Sequence, residues 1–274
     1  MNQTTAPNMA AYAEQLGKRT DFALNDVISL EGKVSDAEWQ TRVDLAACYR
    51  LVARFGWDDM LSVHISARVP GEENTMLINP YGVLFEQITA SSLVKVSFDG
   101  TVLSQTPFPI NPAGIIIHGG MLSVRPDVNS VLHLHTVAGV AVATHKEGLI
   151  PLNQRALYFQ PILAYHDYEG IALEEDEQAV LARDFGDKWV MLLRNHGTLA
   201  LGRSVSQAFV FSYFLEMACK YQIATLSAGV EITRLSQDII DRVADQITHF
   251  KFAGLLEWPA LLATLDADGA TFRT

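Results

Sequence analysis

The chain has 274 residues, 49% hydrophobic and 19% charged, an ordinary globular balance with enough length to bury a substantial core. Its formal net charge of −11 speaks against nucleic acid or an anionic membrane surface as partner, since both demand basic patches. Only two cysteines occur, Cys48 and Cys219, both in apolar helix-like stretches, and they read as reduced buried thiols of a cytoplasmic protein.

The opening residues, Met1 to Thr20, lack the apolar run of a secretory signal, and no stretch approaches the length of a membrane span. Residues 1–30 are expected to form an N-terminal extension and 31–274 one domain ending in helices. Ser35-Asp36-Ala37-Glu38 has the form of a capping box and opens a helix that ends near Phe55-Gly56. Short β-like segments follow at Ser62 to Val69, Met76 to Asn79 and Leu93 to Phe98, separated by Pro-Gly, Pro-Tyr-Gly and Asp-Gly turns. A proline-rich passage leads to a helix at Ala113 to Leu122, a strand at Ser130 to His135, and a small-residue helix from Val137 to His145. Helical character resumes at Glu174 to Phe185. Trp189 to Arg194 and Thr198 to Leu201 pair as a hairpin. Ser204 and Gln207 cap a long helix reaching Ser227, and an amphipathic helix spans Ser236 to Phe250. Helices before, between and after short strands predict an α/β layered domain in which hairpins relieve the sheet of being parallel.

Within this frame Leu132-His133-Leu134-His135-Thr136 is the most informative stretch. A strand places residues i and i+2 on one face, so two imidazoles project side by side. Two ordinary strand histidines would give the same pattern, but His196, in the turn Arg194-Asn195-His196-Gly197, offers a third nitrogen. Three protein ligands with a fourth position open is the arrangement of catalytic zinc sites. Imidazole also suits iron, nickel, cobalt and copper. Other features carry less. The run Glu174 to Glu177 reads as a charge cluster at a helix start. His118, after three isoleucines, reads as a core histidine or as a group that orients the site. His166 and Asp167 fall in a polar turn next to Tyr165, where they either line the cleft or, on the plainer reading, hydrogen-bond the loop, and His145 and His249 fall on the surface. No Walker A loop, Gly-x-Gly-x-x-Gly, Gly-x-Ser-x-Gly or His-Glu-x-x-His is present.

Leu77-Ile78-Asn79-Pro80-Tyr81-Gly82, Pro126-Asp127-Val128 and Arg194-Asn195-His196-Gly197 together resemble the class II aldolase/adducin family, over roughly Trp39 to Gly229. Asn111-Pro112-Ala113-Gly114, Thr89 to Lys95 and Tyr165-His166-Asp167-Tyr168-Glu169-Gly170 are more similar to the adducin-head branch than to the sugar-phosphate aldolases. The resemblance implies a three-layer α/β/α sandwich around a largely antiparallel sheet, and a homotetramer with its metal cleft beside a subunit interface. The metal ligands it implies are His133, His135 and His196, with Zn2+ as the expected ion. The family's catalytic glutamate corresponds to Gly114, which offers no titratable group for general acid–base work. Its phosphate-binding serines correspond to Pro112 and Ala113, an asparagine to His64 and a threonine to Tyr81, with Gly82 retained. A phospho-sugar aldolase is therefore not expected.

The resemblance makes Tyr165 the candidate catalytic acid, although a packed aromatic beside a turn reads equally well. His64 is placed to bind a substrate carboxylate or to titrate near neutrality, or else to serve as a hydrogen-bonded polar residue at a strand end. Tyr81, Gly82, Asn111 and Gly114 complete the expected substrate-binding set. The function expected is that of a metal-dependent lyase, decarboxylase or isomerase acting on a small keto or hydroxy compound. The alternatives are a non-catalytic scaffold like the adducin head and an aldolase using another carboxylate. No lysine-rich run lies near Thr274, so actin binding is not expected.

Overall fold

A computed structural model describes residues 27–170 and 175–274. Among them, helix α1 (Asp36–Arg54) precedes strands β1 (His64–Arg68), β2 (Thr75–Ile78) and β3 (Val94–Ser97). Helix α2 is composite: Pro112–Gly114, a π turn Ile115–Gly119, then Gly120–Val124. Next come β4 (Ser130–Leu134), α3 (Val137–Thr144), α4 (Gln154–Phe159), β5 (Leu163–His166) and α5 (Glu175–Phe185). The hairpin β6 (Val190–Leu193) and β7 (Gly197–Gly202) leads to α6 (Val205–Ser227), α7 (Gln237–Gln246) and α8 (Glu257–Ala267).

The strands form one sheet of order β3-β2-β1-β4-β7-β6-β5. Every pairing is antiparallel except β5 with β6. That parallel pair needs a crossover, which α5 supplies. Both sheet faces are covered. On one, Val131, Met191, Leu199 and Leu201 pack against Ile115 to Ile117 of α2 and Leu181 and Phe185 of α5. On the other, Leu132, Leu134, Ile65 and Ala67 meet α1 and α6, while Leu192 and Ala200 meet α3, α4 and α6. This is the expected α/β/α sandwich, and alternation along each strand builds it.

Local chemistry explains where elements start. Ser35 accepts a hydrogen bond from Glu38 N–H at 3.2 Å. The reciprocal half of the expected capping box is replaced, because the buried Glu38 carboxylate holds Arg42 Nε at 2.8 Å and Lys95 Nζ at 2.6 Å. Ser204 caps α6 as expected. Three elements lie outside the sequence-based expectation. The four-residue β5 follows Pro161 and looks like a loop by composition, α4 is a short six-residue helix, and α8 carries Pro259 in its first turn, where proline is tolerated. The expected extension lies, up to residue 26, outside the described residues, as do residues 171–174. No described helix is long and apolar enough to cross a membrane. Both thiols are buried and pushed upward in pKa by that burial.

One buried hydroxyl of α1 fixes the end of a strand ladder beside His64. The β1–β2 ladder runs from Arg68↔Met76 to Ser66↔Ile78 and stops. Tyr49 Oη occupies the next rung, accepting from Ile65 N–H at 2.9 Å and Asn79 N–H at 3.1 Å. It shares its single proton between the Ile65 carbonyl and Asn79 Oδ1. Tyr49→Phe strands two buried N–H groups and is expected to lower stability by about 2 kcal/mol in urea denaturation.

Candidate metal centre

His133 is the fourth residue of β4 and pairs with His64 on one side and Leu199 on the other, so all three share a sheet face. His135 follows one residue beyond the end of the strand. His196 comes from the β6–β7 turn, where Asn195 takes a left-handed φ of 57° and His196 N–H closes the turn on the Leu193 carbonyl. Asparagine tolerates that conformation better than most residues. Gly197 is required by proximity, since a Cβ there would stand 2.5 Å from the Leu134 carbonyl oxygen and 2.9 Å from His135 Cδ2.

The three rings have centroids 4.7 to 4.8 Å apart. One nitrogen of each lies within 4.8 Å of the others. Hydrogen bonds on the far side of two rings decide their tautomers. His133 Nδ1 lies 3.1 Å from the Thr198 carbonyl, which only accepts, so Nδ1 carries the proton. His135 Nδ1 lies 3.0 Å from Asp59 Oδ2, which has the same consequence. When both rings are neutral, as metal ligation requires, both Nε2 atoms present lone pairs, and they face each other across 3.0 Å. Two lone pairs at that distance repel unless a cation sits between them. Tetrahedral zinc with bonds of about 2.0–2.1 Å would set its nitrogens about 3.3 Å apart. The donor set fits a divalent metal.

Burial holds His133 and His196 in the neutral form. His133 is held well below the usual imidazole range by desolvation and then by His64, His196 and His135. His196 is lowered to about 4, first by burial and then by His135 and His166. His64 is buried and lies 5.0 Å, centroid to centroid, from His133. Its Nδ1 is 2.7 Å from His118 Nε2, and His118 Nδ1 is 2.6 Å from Ser66 Oγ. His118 thus backs His64, the orienting role that its sequence context suggests.

The other expected residues separate. A Cβ on Gly114 would stand 2.9 Å from Ile78 Cδ1 and 3.4 Å from His64 Cγ, so a side chain there would press on both. Asn111 caps α2, its Oδ1 accepting from Ala113 N–H at 3.1 Å. Tyr81 donates its N–H to the Pro109 carbonyl, and Gly82 has a φ of 103°. Tyr165 is not brought to the trio. It pairs in register with Leu192, which pairs with Thr198, and these lie on the face opposite His133. There its Oη accepts from Leu149 N–H at 3.1 Å under the Arg194 guanidinium. His166, expected in a turn, belongs to β5 and shares the His133 face. His145 is half-buried and bonds Gln222 rather than lying free on the surface. His249 and Glu174 lie outside the residues whose side chains are described.

Asp59 and Tyr168 stand beside the trio and escape sequence reasoning. Asp59 is 76 residues from His135, and Tyr168 brings its ring within 6.2 Å of His196. Only the local motif Tyr165 to Gly170 hints at the second, and nothing marks the first.

The family described as Class II Aldolase and Adducin N-terminal domain matches residues 43–223. The chain belongs to this family. A Caulobacter vibrioides protein named for aldolase class 2 is 51% identical over 243 residues, 88% of this chain and 95% of that protein. The crystal structure of an aldolase II superfamily protein from Pseudomonas syringae superposes with a TM-score of 0.85 at 44% identity, covering 90% of this chain and all of that one. Rat alpha-adducin is 39% identical over 225 residues, 81% of this chain but 30% of adducin.

Because His64, His118 and His133 are buried and held below their usual range, the unfolded chain takes up protons below about pH 6.5 that the folded chain cannot. Stability of the metal-free protein is therefore expected to be full above that pH and to fall as pH drops toward 5. Thermal melts across pH 5 to 8 check this, with His118→Gln expected to flatten the slope.

Proposed function

We propose that this chain is a metal-dependent lyase, decarboxylase or isomerase acting on a small keto or hydroxy compound, with Zn2+ held by His133, His135 and His196. The observation that carries the reading is the convergence of three imidazoles, two with Nδ1–H locked by Thr198 and Asp59, so that lone pairs meet at one point. A divalent ion so held supplies Lewis-acid polarisation of a substrate oxygen.

The chain's own residues then do the rest. Asp59 fixes the plane of His135, a role that commonly governs metal affinity. His64, cross-strand from His133, presents a ring that binds a substrate carboxylate or carbonyl oxygen, with His118 and Ser66 holding it in place. Tyr81, Gly82, Asn111 and Gly114 shape the wall beside it: Gly114 leaves His64 its space, and Asn111 anchors the helix that carries Gly114. Tyr168 brings a phenol to the mouth of the cleft. Tyr165, on the far face, has no role within its own protomer in this scheme. Met60 (70% exposed) and Val137 (88% exposed), beside Asp59 and Thr136, favour a subunit interface next to the cleft, as a homotetramer requires. The scaffold alternative draws on the adducin likeness, but a scaffold needs no convergent imidazole lone pairs, and the metal reading is favoured.

Elemental analysis of tag-free protein tests it. Wild type is expected to carry one equivalent of metal, and His135→Ala none. Asp59→Asn should weaken metal affinity about 10- to 100-fold. No metal in the wild type after incubation with zinc would leave the scaffold reading. With metal bound, turnover is sought among 2-keto and 2-hydroxy acids.

A further inference from the structure

Alternation on β5 sends Tyr165 to one face of the sheet and His166 to the other, the face that carries His133. His166 is buried, with 5% of its surface exposed. Its Nδ1 lies 2.8 Å from Asp184 Oδ2 of α5. A carboxylate only accepts, so Nδ1 carries the proton and a neutral ring keeps its lone pair on Nε2. That Nε2 is buried and has no hydrogen-bond partner among the described residues. Buried polar atoms are nearly always paired, and an exception calls for a partner from outside. The ring lines a small pocket of about 10 Å³, room for a single hydroxyl or water, together with His196, Tyr168, Ile117, Leu193, Arg194 and Glu169. The arrangement is a buried acceptor fixed in its tautomer by a carboxylate, in a small pocket lined by apolar and charged side chains that it shares with a metal-ligating imidazole.

We infer that His166, positioned by Asp184, is a specificity-determining residue that accepts a hydrogen bond from a substrate hydroxyl, so that the site selects acids bearing a second hydroxyl over simple keto or monohydroxy acids. The inference rests on the metal-dependent reading of the site, with one end of the compound at the trio and the additional hydroxyl at His166. A site built to pair a hydroxyl discriminates strongly against an analogue lacking it, because its own polar atom then stays unpaired. Tyr165, which the family resemblance favours, cannot serve here because the pleat turns it away.

Glycerate and lactate differ by one terminal hydroxyl and make the probe pair. Both are titrated calorimetrically into metal-loaded wild type, His166→Leu and Asp184→Asn, with metal content measured on each sample. Wild type is expected to bind glycerate about tenfold or more tightly than lactate. His166→Leu should abolish that preference while keeping one equivalent of metal and the wild-type affinity for lactate. Asp184→Asn should reduce the preference, and it keeps the test standing if the leucine variant fails to fold. A merely structural His166 would lower the melting temperature and leave the preference untouched. Equal affinities in metal-loaded wild type, an absence of measurable binding included, or a preference that survives His166→Leu, overturn the inference. A wild type that takes up no metal instead overturns the reading beneath it.

Discussion

β4 runs between β1 and β7, hydrogen-bonded to both, and this double pairing sets where every candidate group at the site points. His133 stands opposite His64 on one side and Leu199 on the other. A slip of one residue in either ladder would turn its imidazole toward α1 and α6 and replace it with Leu132 or Leu134. Apolar packing on both faces opposes that slip. Val131 and Leu199 are needed by the α2 and α5 layer, Leu132 and Leu134 by the α1 and α6 layer. The Tyr49 hydroxyl adds a stop at the end of the β1–β2 ladder, one residue from His64, and thereby frees the start of β1 from β2.

Polar groups behind the rings matter as much as the rings. A strand histidine in a dry core can adopt either tautomer. Here the Thr198 carbonyl and the Asp59 carboxylate each demand Nδ1–H, which turns the two Nε2 lone pairs to one point. Thr198 stands on β7 one residue past Gly197, so the close approach that excludes a Cβ at Gly197 also delivers the carbonyl. Desolvation keeps His133 and His196 unprotonated, as metal ligation needs. Both effects come from the packing that the ladder imposes.

Around Gly114 the chemistry of the cleft has been redistributed. The helix start carries no carboxylate, and a Cβ at Gly114 would press on Ile78 and His64. The polar groups near the trio sit instead on strands: His64 on β1 with His118 behind it, and His166 at the end of β5. His118 lies in the π turn of α2, a local departure from the 3.6-residue period of the kind often found at functional sites.

Much of the fold is legible in the sequence because its signals are local. Ser35 and Ser204 cap helices through the next few residues, the hairpin around Asn195 closes within four residues, and short apolar runs mark β4 and β7. His-x-His followed by a distant His-Gly turn is legible as a ligand trio because pleat geometry is a property of the backbone. The rest required the tertiary structure. Asp59 reaches His135 across 76 residues of sequence, and Asp184 reaches His166 from the next helix. Whether Tyr165 or His166 faces the cleft depends on β5 being a strand at all, and its four residues after Pro161 carry no periodicity long enough to say so. Sequence determined which residue types were present at backbone-encoded spacings. Only the packing of distant elements decided which sheet face, tautomer and partner each acquired, because those depend on register and burial, to which residues far apart in the chain contribute.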